Sequence, residues 1–160
     1  EDAKFCTHQG FDQEAIAQAI ERNQRGGKLR GGSTISQQTA KNVFLWQGWG
    51  WDRYVRKGLE VWFTFLIEQI WGKRRIMEVY LNVAEFGEGV FGVQAAAQYH
   101  FGVDAKDLTP TQAARLAAVL PDPQERSASN PSSFVRSRTR AIMSGAETIA
   151  ADGRAACFQE

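Results

Sequence analysis

Hydrophobic and polar positions follow the period of an α-helix along most of the chain. Apolar residues recur three or four positions apart, and no segment shows the convincing alternation that predicts a β-strand. The predicted helices run from Gln13 to about Arg22, from Ser33 or Thr34 onward, from after Asp52 to about Trp71, from Arg74 to Asn82, from about Gly92 to near Gly102, from Pro110 to Pro121 and from Asn130 to about Ala151. This pattern predicts a mostly α fold.

Two of these helices begin with a capping box, in which two side chains three residues apart bond each other's backbone amides. Thr34 and Gln37 make one such pair, and Thr109 and Gln112 make the other.

Residues 87–92 also spell GxGxxG, the pattern of a dinucleotide-binding loop. Because a βαβ context is missing, we interpret these glycines as a tight turn into the following helix.

The helix after Asp52 carries its charged side chains and Thr64 within about 120° of its circumference, up to Glu68. Those side chains are Arg53, Arg56, Lys57, Glu60, Thr64 and Glu68. The rest of the circumference is apolar, which predicts a helix buried on most sides with one charged seam. Glu60 lies on this seam among three cations, which is compatible with a functional carboxylate. The alternative is a solvated stripe with Arg56 and Glu60 as an ordinary i,i+4 ion pair.

The segment before this helix favours an anion. Residues 23–32 contain four glycines and three basic residues, which predicts a mobile cationic loop. Ser33 and Thr34 then leave free backbone amides at a helix N-terminus, where negative charge is stabilised. The cations suited to a phosphate or pyrophosphate are Lys41, Arg53, Arg56 and Lys57. The alternative for this helix is an ordinary capped helix with one lysine.

All five tryptophans of the chain fall between residues 46 and 71. They are Trp46, Trp49, Trp51, Trp62 and Trp71. The first three belong to a short apolar segment with basic flanks, a composition typical of the membrane–water interface. The alternative is a core unusually dense in tryptophan. We favour contact with a membrane surface, although no apolar stretch approaches the roughly 20 residues needed to span a bilayer.

Length and charge limit the remaining possibilities. The chain has 160 residues, enough for one domain, and a formal net charge of +1, so nucleic acid is not an expected partner. Residues 1–75 carry 12 Lys and Arg against 8 Asp and Glu, so we expect an anion to bind to this half of the chain.

Cys6 and Cys157 are the two cysteines, and they are either paired in an oxidising compartment or unrelated thiols.

Acidic residues stand close to aromatic rings at the start of the sequence. Glu1 and Asp2 come shortly before Phe5 and His8. A carboxyl group against an apolar wall is favoured in its protonated form and so suits proton transfer. The alternative is an exposed pair of acids, with His8 as a packed or capping residue.

Five segments, in this order, resemble the motifs of the peptidoglycan glycosyltransferase family, which also supplies the polymerising domain of bifunctional penicillin-binding proteins. They are EDAKFCTHQGFD, GGSTISQQTAKN, RKGLE, KRRIMEVYLN and LTPTQAARLAAVLPDP. The pair STxxQQ…KN and RKxxE is the most specific part, and the resemblance covers residues 1 to about 140. The segment NVAEFGEGVFGVQAAA looks most like the monofunctional biosynthetic branch of Gram-negative bacteria.

The resemblance implies one glycosyltransferase domain over residues 1–160, with a lysozyme-like helical head lobe and a smaller hydrophobic, membrane-facing jaw at roughly 23–51. It implies polymerisation of lipid II into glycan strands, inversion at the anomeric carbon and release of undecaprenyl pyrophosphate. Glu1 would be the general base, and Glu60 a second essential acid that acts through a divalent cation, Mg or Mn, without an organic cofactor. The implied substrate-binding residues are Asp2, Ser33, Thr34, Gln37, Gln38, Lys41, Asn42, Arg53, Arg56 and Lys57.

The resemblance also implies a place in peptidoglycan biosynthesis, cell-wall biogenesis and the maintenance of cell shape. The catalytic domain would lie on the periplasmic side of the bacterial inner membrane, with an anchor upstream of Glu1. The implied partners are lipid II, the growing glycan strand, the membrane surface and other cell-wall synthesis and division proteins.

Two other functions fit parts of the sequence. A cell-wall glycan hydrolase or lytic transglycosylase on a similar lysozyme-like fold also uses a glutamate, but it has no need of four cations around a second carboxylate. A non-catalytic membrane-surface module explains the tryptophans and the basic residues. It does not explain Glu60 within the cationic seam.

Overall fold

The computed structural model is mostly helical, which confirms the predicted fold class and agrees with a lysozyme-like head lobe. The structure describes residues 2–24, 32–46, 50 and 52–159. The helices are α1 (Gln13–Gln24), α2 (Ile35–Phe44), α3 (Asp52–Ile70), α4 (Lys73–Val83), α5 (Val93–Phe101), α6 (Pro110–Val119), α7 (Ser133–Ala151) and α8 (Ala156–Gln159). A short 3-10 helix spans Ala105–Asp107.

Both predicted capping boxes are confirmed. The side-chain oxygen of Thr34 accepts the backbone N–H of Gln37 at 3.2 Å, and that of Thr109 accepts the backbone N–H of Gln112 at 3.3 Å. The predicted loop at 23–32 begins later than expected, because α1 continues to Gln24. Residues 25–31 of that loop lie outside the described residues.

The prediction that the chain has no strand is wrong at one place. Strand β1 (Glu85–Gly87) pairs antiparallel with β2 (Val90–Phe91), and a tight turn joins them. The strands have three and two residues, too few for an alternating pattern to show in the sequence. Gly92 then leads into α5 with φ +84°, and a Cβ there would lie 2.8 Å from a backbone oxygen of Asn82. Gly89 therefore lies in a tight turn and Gly92 leads into the helix, as predicted, whereas Gly87 ends β1.

The chain divides into two compact units, Glu1–Met77 with Ala156–Glu160, and Glu78–Ala155. In the first unit, α2 packs on α3, and the buried apolar residues are Phe5, Ile35, Ala40, Ile67 and Ile76. In the second unit, α6 packs on α7, and the buried residues of these two helices include Ala114, Leu116, Val119 and Val135. The predicted jaw at 23–51 stays a prediction, because part of it lies outside the described residues.

Helix α3 buries part of its polar side and exposes much of its apolar side, which is the reverse of the prediction. Its polar side chains Glu60 and Thr64 are buried, at 6% and 0% exposure. The other side of the helix carries an exposed apolar face formed by Val55, Val61, Trp62 and Phe65. The prediction of a helix buried on most sides is therefore wrong, because much of the apolar stripe faces outward, while Glu60 and Thr64 of the charged seam face inward. Among the described residues, no helix is both long enough and apolar enough to cross a membrane.

Candidate active site

Side-chain hydrogen bonds hold the segment of residues 2–10, which forms turns and bends without a helix or strand. The Asp2 carboxylate accepts a hydrogen bond from His8 Nε2 at 2.9 Å and another from the backbone N–H of Ile35 at 3.1 Å. His8 Nδ1 accepts the backbone N–H of Gly10 at 3.1 Å. Because Nδ1 is an acceptor, the ring proton lies on Nε2, which donates to Asp2.

Asp2 is therefore buried, and the alternative of an exposed acid is wrong for this residue. Its side chain is 4% exposed, and its carboxylate lies at the N-terminus of α2, where the helix dipole favours negative charge. Glu1, the predicted general base, lies outside the described residues. Its role stays a prediction that rests on the first motif.

Gly10 connects this segment to α2 and α3. Its carbonyl oxygen accepts a hydrogen bond from Thr34 Oγ1 at 2.6 Å. Its φ is +85°, and a Cβ at this position would lie 2.8 Å from Thr64 Cγ2 on α3. Glycine is required here both by the backbone conformation and by the close approach. The Thr34 side chain thus both caps α2 and hydrogen-bonds to residues 2–10, which we call the acidic segment after Asp2.

Glu60 is one of two buried carboxylates of α3, beside Glu68. Its Oε1 accepts a 2.6 Å hydrogen bond from Lys57 Nζ, one helical turn earlier. The Lys57 side chain is 53% exposed, so an accessible ammonium meets a buried acid. The predicted partner Arg56 instead donates to the backbone oxygen of Trp46 at 3.4 Å. A ligand can therefore reach Lys57 while Glu60 stays shielded from bulk water.

Two other predicted cations do not contact Glu60 in the described part of the chain. The Arg53 guanidinium lies over the ring of Tyr54, 5.2 Å from its centre, and donates to its hydroxyl at 3.4 Å. The exposed Lys41 side chain forms no hydrogen bond or ion pair with another described residue. Of the four predicted cations, Lys57 alone pairs with Glu60, and Lys41 is available to a ligand.

The predicted polar ligands at the start of α2 differ in exposure. Thr34 and Gln37 are buried, at 3% and 4%, and their side chains complete the capping box. Gln38 Nε2 donates to the backbone oxygen of Ser33 at 3.4 Å, and Asn42 is exposed. The structure gives Thr34 and Gln37 a positioning role, and substrate binding by this set stays a prediction.

A buried polar cluster beside the acidic segment was missed by sequence reasoning. Glu68 Oε1 accepts hydrogen bonds from Ser36 Oγ and from Lys73 Nζ, the latter at 2.7 Å. Lys73 Nζ also lies 4.7 Å from the centre of the Phe5 ring. The helical wheel places Glu68 on the same seam as Glu60, which could have drawn attention to it. Nothing local in the sequence indicates that Lys73 and Phe5 would meet there.

Cys6 and Cys157 form a disulfide, which decides between the two alternatives left open by the sequence. The bridge joins the acidic segment to α8 within the first compact unit.

His8 is packed, as predicted. His100 is packed too, with its Nε2 2.8 Å from the backbone oxygen of Phe86 in the second unit.

The profile of the transglycosylase family matches residues 1–147, more than nine tenths of the sequence. The chain belongs to the transglycosylase family. The transglycosylase profile includes the described candidate residues from Asp2 to Lys73, together with Glu1.

Several similar proteins carry the name biosynthetic peptidoglycan transglycosylase. The one from Caulobacter vibrioides is 57% identical over 157 residues, which are 98% of this chain and 67% of the relative. The one from Jannaschia sp. is 59% identical, over 99% of this chain and 63% of the relative. The one from Pseudomonas aeruginosa is 62% identical, over 86% of this chain and 58% of the relative. This transglycosylase chain thus spans roughly three fifths to two thirds of the length of these relatives.

Proposed function

We propose that this chain is a peptidoglycan glycosyltransferase that polymerises lipid II into glycan strands. The observation that carries the proposal is Glu60, a buried carboxylate bonded to an accessible ammonium on a helix whose opposite side is apolar and exposed. The family and the names of the relatives support the same activity. A module that only binds membranes has no use for such a carboxylate.

In the proposed reaction, the 4-hydroxyl oxygen of the acceptor N-acetylglucosamine attacks the anomeric carbon of the donor N-acetylmuramic acid. The bond from that carbon to the pyrophosphate breaks on the opposite face, which inverts the anomeric centre and releases undecaprenyl pyrophosphate. Glu1 would take the hydroxyl proton as general base. Lys41, Arg53 and Lys57 would bind the pyrophosphate, because fixed positive charge stabilises the negative charge that develops on the leaving group.

We also propose that a divalent cation, Mg or Mn, acts at Glu60. Among the described residues, no cluster of three or more His, Cys, Asp or Glu side chains could hold a metal ion alone. Mg²⁺ is, however, commonly bound by one or two carboxylates together with substrate phosphates, and Glu60 supplies one carboxylate. Such an ion would act as a Lewis acid toward the leaving group. The proposed reaction needs no organic cofactor.

The proposed site of action is the periplasmic surface of the bacterial inner membrane. The exposed apolar face of α3 and the side chain of Trp46, which is 49% exposed, support this location. Aromatic residues with basic neighbours suit the headgroup region, where a lipid-linked donor would be presented. Besides lipid II and the glycan strand, the expected partners are other cell-wall synthesis and division proteins.

Polymerisation of fluorescent lipid II in detergent, followed on a gel, tests the proposed function. We expect the unsubstituted protein to make a ladder that muramidase digests. Glu60→Gln and Glu1→Gln should make none while keeping their helical circular dichroism. Glu147→Gln is the matched control, since it makes the same chemical change at an exposed position of α7 and should polymerise normally.

Three outcomes would contradict the proposal. Near-normal polymerisation by Glu60→Gln would remove that residue from the reaction. Soluble fragments released from finished peptidoglycan would indicate the hydrolase. Binding to lipid vesicles with no polymer formed would indicate the membrane-surface module.

A further inference from the structure

The disulfide holds the acidic segment at its middle. Cys6 lies between Asp2 and His8, and its Cα is 5.5 Å from the Cα of Cys157 on α8. Beside the bridge, Phe5 is 3% exposed, and the centre of its ring lies 6.2 Å from that of Phe158. The covalent bond and the ring contact therefore connect the same part of the segment to the same short helix.

The position of α8 depends on this bridge. The helix has four residues, a length at which an isolated helix is not stable in water. With the bridge reduced, α8 would keep weaker contacts such as that of Phe158 with Phe5. Separation of α8 would uncover Phe5 and loosen the segment on both sides of it, where Asp2 and His8 lie.

We propose that Cys6 and Cys157 are positioning residues for catalysis, because their disulfide keeps α8 beside Phe5 and so restrains the acidic segment, which hydrogen-bonds to the start of α2 through Asp2 and Gly10. This inference rests on the proposed function. Glu1 is covalently attached to Asp2, so movement of Asp2 would displace it. A displacement of about 1 Å at a reacting group can cost roughly 100-fold in rate. The bridge would persist in an oxidising compartment such as the periplasm.

Reduction of the disulfide should affect kcat and the KM for lipid II differently. The proposed pyrophosphate-binding residues Lys41, Arg53 and Lys57 belong to α2 and α3, whereas the bridge is attached at Cys6, within residues 2–10. Reduction of the disulfide should therefore lower kcat far more than it raises the KM for lipid II. A general loss of stability would not lower kcat in this way at a temperature where the protein stays folded.

The test compares the oxidised protein with the same protein treated with dithiothreitol. The two thiols of dithiothreitol are oxidised to its cyclic disulfide, and Cys6 and Cys157 each gain a hydrogen. We expect kcat to fall at least about tenfold, the KM to stay within about two-fold, and reoxidation to restore the rate. The double variant Cys6→Ser and Cys157→Ser is the matched control, and its low rate should not respond to dithiothreitol.

Hydrogen exchange supplies a readout that does not depend on activity. Reduction should speed exchange at the amide of Gly10, which donates to His8, and at the amide of Ile35, which donates to Asp2. Exchange in α6 of the second unit should not change. If the oxidised protein makes no polymer, the proposed function fails, and the exchange pattern alone decides whether the bridge positions the segment.

Two results would overturn the inference. One is a reduced protein, with both thiols free by chemical counting, whose kcat stays within two-fold of the oxidised value. The other is loss of the helical circular dichroism at the assay temperature, since the bridge would then maintain the fold rather than position the segment.

Discussion

Replacing Phe65 by serine would test whether the apolar face of α3 binds a membrane. Phe65 is 50% exposed, and its ring stacks near that of Trp62 at 6.3 Å between centres. A phenylalanine side chain has roughly 200 Å² of surface to bury, so about half of this remains for contact with lipid. At about 25 cal/mol per Å², immersion of this surface contributes roughly 2.5 kcal/mol. Phe65→Ser should therefore weaken binding to vesicles by about 70-fold.

Co-sedimentation with vesicles of phosphatidylethanolamine and phosphatidylglycerol at fixed ionic strength would measure this change. Phe134→Ser is the matched control, because Phe134 is 56% exposed on α7 but has Ser137 and Arg138 as its neighbours one turn along. We expect the control to bind within about two-fold of the unsubstituted protein. Equal binding by Phe65→Ser, or an equal loss in Phe134→Ser, would refute a lipid-binding role for this face.

Other substitutions test the packing described above. Ile76→Ala empties a fully buried site and should lower the free energy of unfolding by about 3 kcal/mol in urea titrations; a loss below about 1 kcal/mol would contradict tight packing there. Thr34→Ala removes both a helix cap and a hydrogen bond to Gly10, so it should lower the free energy of unfolding by about 2 kcal/mol. Thr109→Ala removes only a cap, on an exposed residue, and should lower the free energy of unfolding by less. Gly92→Ala forces a Cβ to 2.8 Å from a backbone oxygen at φ +84° and should cost more than about 1 kcal/mol; an unchanged melting temperature would show that this turn can relax.

Helix α3 shows why its location could be predicted from sequence although its orientation could not. The helical wheel correctly placed Glu60, Thr64 and Glu68 on one seam. Periodicity tells which residues share a face, but it does not tell which face meets the solvent. The prediction assumed that the apolar side is buried, as in a protein surrounded by water alone. That assumption fails here, where the buried side carries Glu60 and Thr64.

The number of residues that separate two contacting groups along the chain explains most of the remaining differences between the predicted and the observed structure. The capping boxes at Thr34 and Thr109 were predictable because all their atoms come from residues three apart. The contact of Lys73 with Phe5 joins residues 68 positions apart, and the disulfide joins residues 151 positions apart. No local pattern encodes such contacts. The resemblance to the family identified the motifs, but it could not show that Asp2 and Gln37 are buried.

The bridge between Cys6 and Cys157 also closes nearly the whole chain into a covalent ring. A protease that cuts once anywhere inside this ring opens it without separating the two pieces. The nicked protein would migrate as one band on a gel without reductant and as two bands with it. An apparently intact band on a non-reducing gel therefore does not demonstrate an uncut polypeptide, so purity and limited proteolysis of this protein must be judged after reduction.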